Sequence, residues 1–370
     1  MTDHRHEFPQ HPQLLYLNHA AVSPWPARTA RAVAEFAEQN LLQGAADYPQ
    51  WLQVEQRLRQ QLAQLINIDS PNDIALVKNT SEGLSMIAMG LDWRDGDEVV
   101  ISDEEFPSNR IPWEALAARG VFTRVVALGG ADPEAELIAA LGPRTRLLSI
   151  SSVQFASGRR LDLERLGDAC RRHGVLFCVD AIQSLGAQPF DAQACGADFV
   201  VADGHKWMLG PEGLGLFYSR PAARDQLALT QYGWHMVEDA GNYDRTDWQP
   251  AASARRFECG SPNMLGIHAL SASLSLLLEV GLEHVAMHIE SHVQALQDGL
   301  AGHGQLCSPS DPARRAGILV WRPDGDLLAA HQRVTAAGLI CARRGGGLRL
   351  SPHFYHDPSV IDRVLRILLA

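Results

Sequence analysis

Two segments decide the fold of this chain: Val179-Asp180-Ala181-Ile182-Gln183 and Val201-Ala202-Asp203-Gly204-His205-Lys206-Trp207. Val175-Leu176-Phe177-Cys178-Val179 is a short apolar run of strand-forming residues behind a helical pattern that ends near His173-Gly174, as a buried parallel strand follows a crossover helix. Asp180 therefore ends a strand. Phe199-Val200-Val201-Ala202 repeats the pattern after the Gly196-Ala197 break, so the polar stretch containing Lys206 is a strand-end loop. In open α/β sheets, ligands collect at that edge. Taken singly, Asp180 also reads as a helix cap and Lys206 as a solvated loop lysine. Together they place opposite charges at two strand ends.

Working outward, strand-like runs at 74–77, 98–101, 122–126 and 146–150 alternate with helical patterns. That alternation predicts βαβ units and a mainly parallel sheet with helices on both faces. Residues 27–42 and 50–66 read as amphipathic helices flanking it, and the Trp/Tyr-rich stretch 231–250 as a loop. A helical stretch at 263–300, broken near Gly281, leads into shorter strands and helices. The expected organisation is a large domain at 21–255 and a smaller C-terminal α/β domain at 256–370, with a segment at 1–20 that lines the active site and packs on the small domain.

The chain has 370 residues, 46% hydrophobic and 20% charged, which is enough for a sizeable core and beyond the usual single-core limit. Its 32 Lys+Arg against 43 Asp+Glu leave a net charge of -11, which argues against a nucleic-acid or anionic-membrane surface. No stretch offers about 18 uninterrupted apolar residues, and Met1 to Glu7 lacks a secretory pattern. A cytoplasmic location is expected. The six cysteines form no C-x-x-C pair and read as reduced thiols.

Chemistry follows from the two strand ends. A lysine ending a buried strand can form a Schiff base with an aldehyde cofactor, and a neighbouring aspartate can hold a pyridine nitrogen protonated. These are the demands of pyridoxal 5'-phosphate (PLP), with Lys206 and Asp180 as catalytic residues that also hold the cofactor. Asn79-Thr80-Ser81-Glu82-Gly83 follows a strand and opens a helix, so Thr80 and Ser81 are candidate phosphate ligands at the positive end of a helix dipole. Asn79 and Glu82 also have capping-box spacing, which is compatible with that role.

With these residues placed, the chain resembles the class V aminotransferase family of fold-type I PLP enzymes, which includes cysteine desulfurases, selenocysteine lyases and isopenicillin epimerase-like proteins. The resemblance runs from Leu15-Tyr16-Leu17-Asn18-His19-Ala20-Ala21 to Leu348-Arg349-Leu350-Ser351-Pro352-His353-Phe354-Tyr355. It implies an α/β fold-type I architecture, with a mainly parallel central sheet and a smaller C-terminal α/β domain. It further implies that Phe106 stacks on the cofactor ring where desulfurases carry histidine, that Gln154 faces the cofactor or substrate, and that Gln183 bonds the phenolic oxygen. His205 is implied to reach the phosphate, and Ser261, in Gly260-Ser261-Pro262, to complete the phosphate site of a neighbouring subunit in a homodimer. Arg349 is implied to bind the substrate carboxylate through a planar fork, with Asn18, His19 and Ala20 on the substrate side.

Several residues depart from the family pattern. Asp203 stands where desulfurases usually carry a phosphate-binding serine, and a carboxylate there is expected to point elsewhere or to bond a backbone amide. His356 replaces a common asparagine. Cys341 precedes Arg349 by eight positions with no long loop between, so it reads as a packed thiol rather than a persulfide-forming nucleophile. His284, His288 and His292 share a helix face, but without an HExxH pattern no metal is expected and the stripe reads as solvated or subunit-facing. One Arg343-Arg344-Gly345-Gly346-Gly347 stretch in an acidic chain reads as a turn.

The expected activity is a PLP-dependent enzyme that acts on a small α-amino acid through a Schiff base and Cα deprotonation, of aminotransferase or lyase type. The alternatives are a desulfurase- or selenocysteine lyase-like C–S (C–Se) lyase, an amino-acid epimerase, or a catalytically silent PLP-fold regulatory protein. A dinucleotide-dependent oxidoreductase is disfavoured, because no G-x-G-x-x-G follows the first strand.

Overall fold

The computed structural model describes residues 4–370. Its centre is a seven-stranded sheet of β1 (Ile74–Val77), β2 (Glu98–Ser102), β3 (Phe122–Val126), β4 (Thr145–Ser151), β5 (Leu176–Asp180), β6 (Phe199–Asp203) and β7 (Gly215–Ser219), in the spatial order β1-β7-β6-β5-β4-β2-β3. β7 pairs antiparallel with both β1 and β6. All other pairings are parallel, so six strands share one direction and end at one edge. The central strands β5 and β6 are nearly continuous apolar runs because both faces of the sheet are covered.

One face carries Val100, Leu148, Ile150, Val179, Val200 and Leu216 in the larger core. The other carries Val99, Ile101, Cys178, Phe199, Val201 and Phe217, under helix Thr80–Gly90. That helix lies close: a Cβ on Gly83 would sit 2.4 Å from Val201 Cγ1, so only glycine permits the approach. Helices Ala27–Gln43 and Tyr48–Leu65 fall near their expected positions, and Met264–Val280 packs along both. The 263–300 stretch breaks at Gly281, at φ +84°, and helix Leu282–Leu300 leaves at 82° to the first. Where the expected boundary was 255–256, we propose this break as the hand-over to the C-terminal body, because Met264–Val280 packs on the two N-terminal helices.

That body is an antiparallel sheet in the order Ala342–Arg344, Gly347–Leu350, Leu319–Arg322, Gln305–Leu306, with helix Leu282–Leu300 and the C-terminal helix Pro358–Leu369 packed together beside it. Leu15–Tyr16 pairs in parallel with Leu339–Ile340, and Asn18 bridges to Ser351. The N-terminal segment is therefore held by the C-terminal body.

A buried ion network ties the sheet edge to the flanking helices. Arg59 donates to Glu258 through both terminal nitrogens at 2.7 Å, to Glu55 at 2.6 Å and to the Ile74 carbonyl at 2.7 Å. Glu258 Oε1 also accepts the Leu76 N–H at 2.8 Å. Removing one partner strands a buried charge. Glu258→Ala is expected to cost about 3–5 kcal/mol in urea unfolding, and Glu258→Ala with Arg59→Met to recover much of that loss.

Candidate active site

The carboxyl edge gathers the chemistry because β1, β2, β4, β5 and β6 all end there. Lys206 follows β6, Asp180 ends β5, Gln154 follows β4, Glu105 and Phe106 follow β2, and Thr80 follows β1. Arg349 enters from the C-terminal sheet, buried on strand Gly347–Leu350.

Lys206 is buried, and desolvation pulls its ammonium down to about 8 despite the opposing field of Asp180; Arg349 pushes the same way as burial. Asp180 is also buried, and desolvation raises its carboxyl to about 7, against the Ile182 N–H it accepts at 3.1 Å and the charge of Lys206. Burial makes each charged form costly, so an amine poised near neutrality faces a carboxyl poised to share a proton. Lys206 Nζ lies 5.5 Å from the centroid of the Phe106 ring, which is partly exposed and meets Phe155 edge-on at 5.1 Å.

Glu105 organises the wall beneath Phe106. Its carboxylate accepts from Ser102 Oγ, Asn109 Nδ2, Gln154 Nε2 and both the N–H and hydroxyl of Ser151, at 2.5–3.2 Å. Sequence reading missed this residue. A glutamate one residue before the expected ring-stacking position was its only sequence signal. Gln154 is thereby held, and its buried Oε1 is left without a partner. Arg349 donates from one Nη to the Phe155 carbonyl at 2.8 Å, while its buried Nε has none; burial and nearby Arg344 lower its guanidinium to about 10.

At the start of helix Thr80–Gly90, Asn79 Oδ1 accepts the Glu82 N–H at 2.9 Å and Glu82 accepts the Lys78 N–H at 2.6 Å. The first N–H groups of such a helix have no intrahelical partner and suit an anion. The Thr80 hydroxyl accepts the Asp203 N–H at 3.1 Å, which fastens the end of β6 to the helix start. Asp203 Oδ2 lies 3.2 Å from His205 Nδ1.

This donor set fits PLP: a buried lysine of lowered basicity, a buried carboxyl at the neighbouring strand end, an aromatic face, a helix N-terminus, and unpartnered polar atoms on Gln154, Asn18 and Arg349. A family model for class V aminotransferases matches residues 15–343. The chain belongs to the class V aminotransferase family. It is 33% identical over 386 aligned positions to a probable cysteine desulfurase of Methanothermobacter thermautotrophicus, covering 97% of this chain and 95% of the relative. An uncharacterized aminotransferase, YcbU of Bacillus subtilis, is 26% identical over 88% of this chain and 86% of its own. Among solved structures, a C-DES mutant with glycine covalently linked to its PLP cofactor superposes with a TM-score of 0.91 at 28% identity, over 99% of both chains. The cystine C–S lyase C-DES in complex with its reaction product cysteine persulfide superposes at 0.89, also 28% identical, over 96% of this chain and 97% of that one.

Several expected site residues take partners within this class V chain. His19 is fully buried, with Nδ1 at 2.8 Å from the Ser351 carbonyl and Nε2 at 2.8 Å from the Tyr355 hydroxyl, and burial holds its ring neutral. The Ala20 carbonyl is taken by Gln183 Nε2 at 3.1 Å, and Gln183 Oε1 by Trp207 Nε1 at 2.8 Å, which leaves Gln183 one amide hydrogen. Ser81 spends its hydroxyl on Ser108 Oγ at 2.8 Å, and Ser261 is exposed on the loop before Met264. Asp203 meets a histidine ring rather than a backbone amide. The histidine stripe is not uniformly solvated, because His292 is buried against His356. Among the described residues, only Glu55, His235 and Glu258 bring three ligating atoms within 4.8 Å, and Arg59 bonds both carboxylates.

Aldehyde trapping at Lys206 needs the neutral amine. Borohydride-trapped adduct, read by peptide mass spectrometry, is therefore expected to rise through about pH 8. Asp180→Asn is expected to move that midpoint lower, since the carboxylate favours the ammonium; a midpoint that moves up would show that the carboxylate does not stabilise the ammonium.

Proposed function

We propose that this class V, PLP-dependent enzyme is a C–S lyase that takes a cysteine-derived disulfide such as cystine and needs no cysteine nucleophile of its own. The observation that carries the reading is the state of its thiols. Cys170, Cys195 and Cys341 are buried and pushed up to about 12 by desolvation, and Cys178, on β5, is raised further for the same reason. A buried protonated thiol is a poor nucleophile. Cys259 and Cys307 are half-buried, with their sulfurs directed at Gln231 Oε1 and the Gln305 carbonyl. Sulfur would then leave with the substrate's own leaving group.

When bound, PLP supplies an electron-poor ring that accepts the electron pair released as the substrate Cα–H bond breaks. Lys206 would hold the cofactor and carry the Cα proton on Nζ. Asp180 would keep the ring nitrogen protonated, Phe106 would cover a ring face, and Thr80, the Ser81 N–H and His205 would hold the phosphate. The substrate carboxylate would lie on Arg349 with Asn18 beside it. Loss of the Cα proton and cleavage of Cβ–S convert cystine and water into cysteine persulfide, pyruvate and ammonia. The similarity to a cystine C–S lyase supports this outcome over aminotransfer.

The reading includes a cytoplasmic homodimer. Tyr232, Trp234, Tyr243 and Trp248 form an exposed aromatic patch on the 231–250 loop, of the kind that a second copy covers. No single helix among the described residues is long and apolar enough to cross a membrane.

Incubation with cystine is expected to yield pyruvate and persulfide in equal amounts, none of it protein-bound. Lys206→Ala should abolish both products and Cys341→Ser should leave them unchanged. Arg349→Lys is expected to raise KM roughly 10- to 100-fold, the worth of a lost charge-assisted hydrogen bond. Persulfide on a protein cysteine, or an amino acid formed from added keto acid, would point to desulfurase or aminotransferase chemistry instead.

A further inference from the structure

We propose that Asp203 is a positioning residue that aims His205 at the cofactor phosphate. The inference rests on the PLP reading above and concerns the site's departure from a phosphate-binding serine.

Three observations meet at Asp203. Its N–H is bonded to Thr80 Oγ1, which sets it beside the helix start where unpaired N–H groups await an anion. Its carboxylate is buried, with side-chain exposure of 7%, and Oδ1 has no partner. Its Oδ2 lies 3.2 Å from Nδ1 of His205, an ion-pair distance at which Nδ1 is not aligned as a hydrogen-bond donor, and the His205 side chain is 15% exposed.

A bare carboxylate beside a phosphate is repelled by it in a desolvated site. The conflict is resolved by a cation between the two, and His205 is placed to be that cation. Nδ1 faces the carboxylate, so Nε2, on the far side of the ring, is directed away from it. A ring lying between a carboxylate and a phosphate donates from both nitrogens, giving two charge-assisted bonds. A serine at this place would donate a single neutral bond directly. Asp203 cannot donate, so its contribution runs through the ring.

The test is PLP affinity of the full chain, followed by equilibrium dialysis. Wild type is expected to bind PLP and to be trapped at Lys206 by borohydride; absence of binding would sink the PLP reading itself. Asp203→Asn and Asp203→Ser are expected to weaken PLP at least tenfold, Asp203→Glu less than Asn, and His205→Gln to a similar degree as Asn. The double variant Asp203→Asn/His205→Gln should bind no more weakly than His205→Gln alone, because the aspartate then has no ring to orient. Affinity that is unchanged or tighter in Asp203→Asn would show a carboxylate that only repels and would overturn the proposal. A full Asp203→Asn loss persisting in the His205→Gln background would overturn it too, showing direct action on the phosphate. Thermal unfolding of the cofactor-free variants separates these effects from loss of fold.

Discussion

The structure turns on two opposite charges, Asp180 and Lys206, kept out of water at the ends of adjacent strands. Burial makes each ionised form expensive, and their mutual attraction offsets only part of that cost. The amine's basicity is consequently lowered and the carboxyl's pKa raised. Both properties follow from a sheet whose strands share a direction. Were β6 reversed like β7, Lys206 would leave the opposite edge and meet no aspartate.

Around this pair the remaining groups are held by bonds that look unrelated to chemistry. Glu105 gathers Ser102, Asn109, Ser151 and Gln154 and so sets the wall on which Phe106 sits. His19 joins the N-terminal segment to Ser351 and Tyr355, while His353 reaches the Trp207 carbonyl at 3.1 Å, one residue from Lys206. Gln183 links Trp207 to Ala20. The N-terminal segment, the C-terminal body and the lysine loop therefore form one connected polar network.

Much of this site was legible locally. Strand ends, the helix start at Thr80 and the Arg349 motif carry their meaning in short windows, since period and breaker residues encode them. The expected phosphate, ring and carboxylate groups at Thr80, Phe106, Gln154, Asp180, His205, Lys206 and Arg349 do lie along one edge or face it. What misled was side-chain direction. His19 has both ring nitrogens on the protein itself, and Gln183 keeps one amide hydrogen beyond its bonds to Ala20 and Trp207; a sequence does not display which partners a buried polar group has found.

The amino-acid sequence by itself determined the alternation of strands and helices, the charges at the ends of β5 and β6, and the lack of a loop cysteine before Arg349. These are local or compositional properties. Only the tertiary structure decided that β7 runs against its neighbours, that Glu105 anchors the wall of the site, and that Asp203 meets His205. Each depends on contacts between distant parts of the chain, in which buried polar atoms take partners that no local pattern specifies.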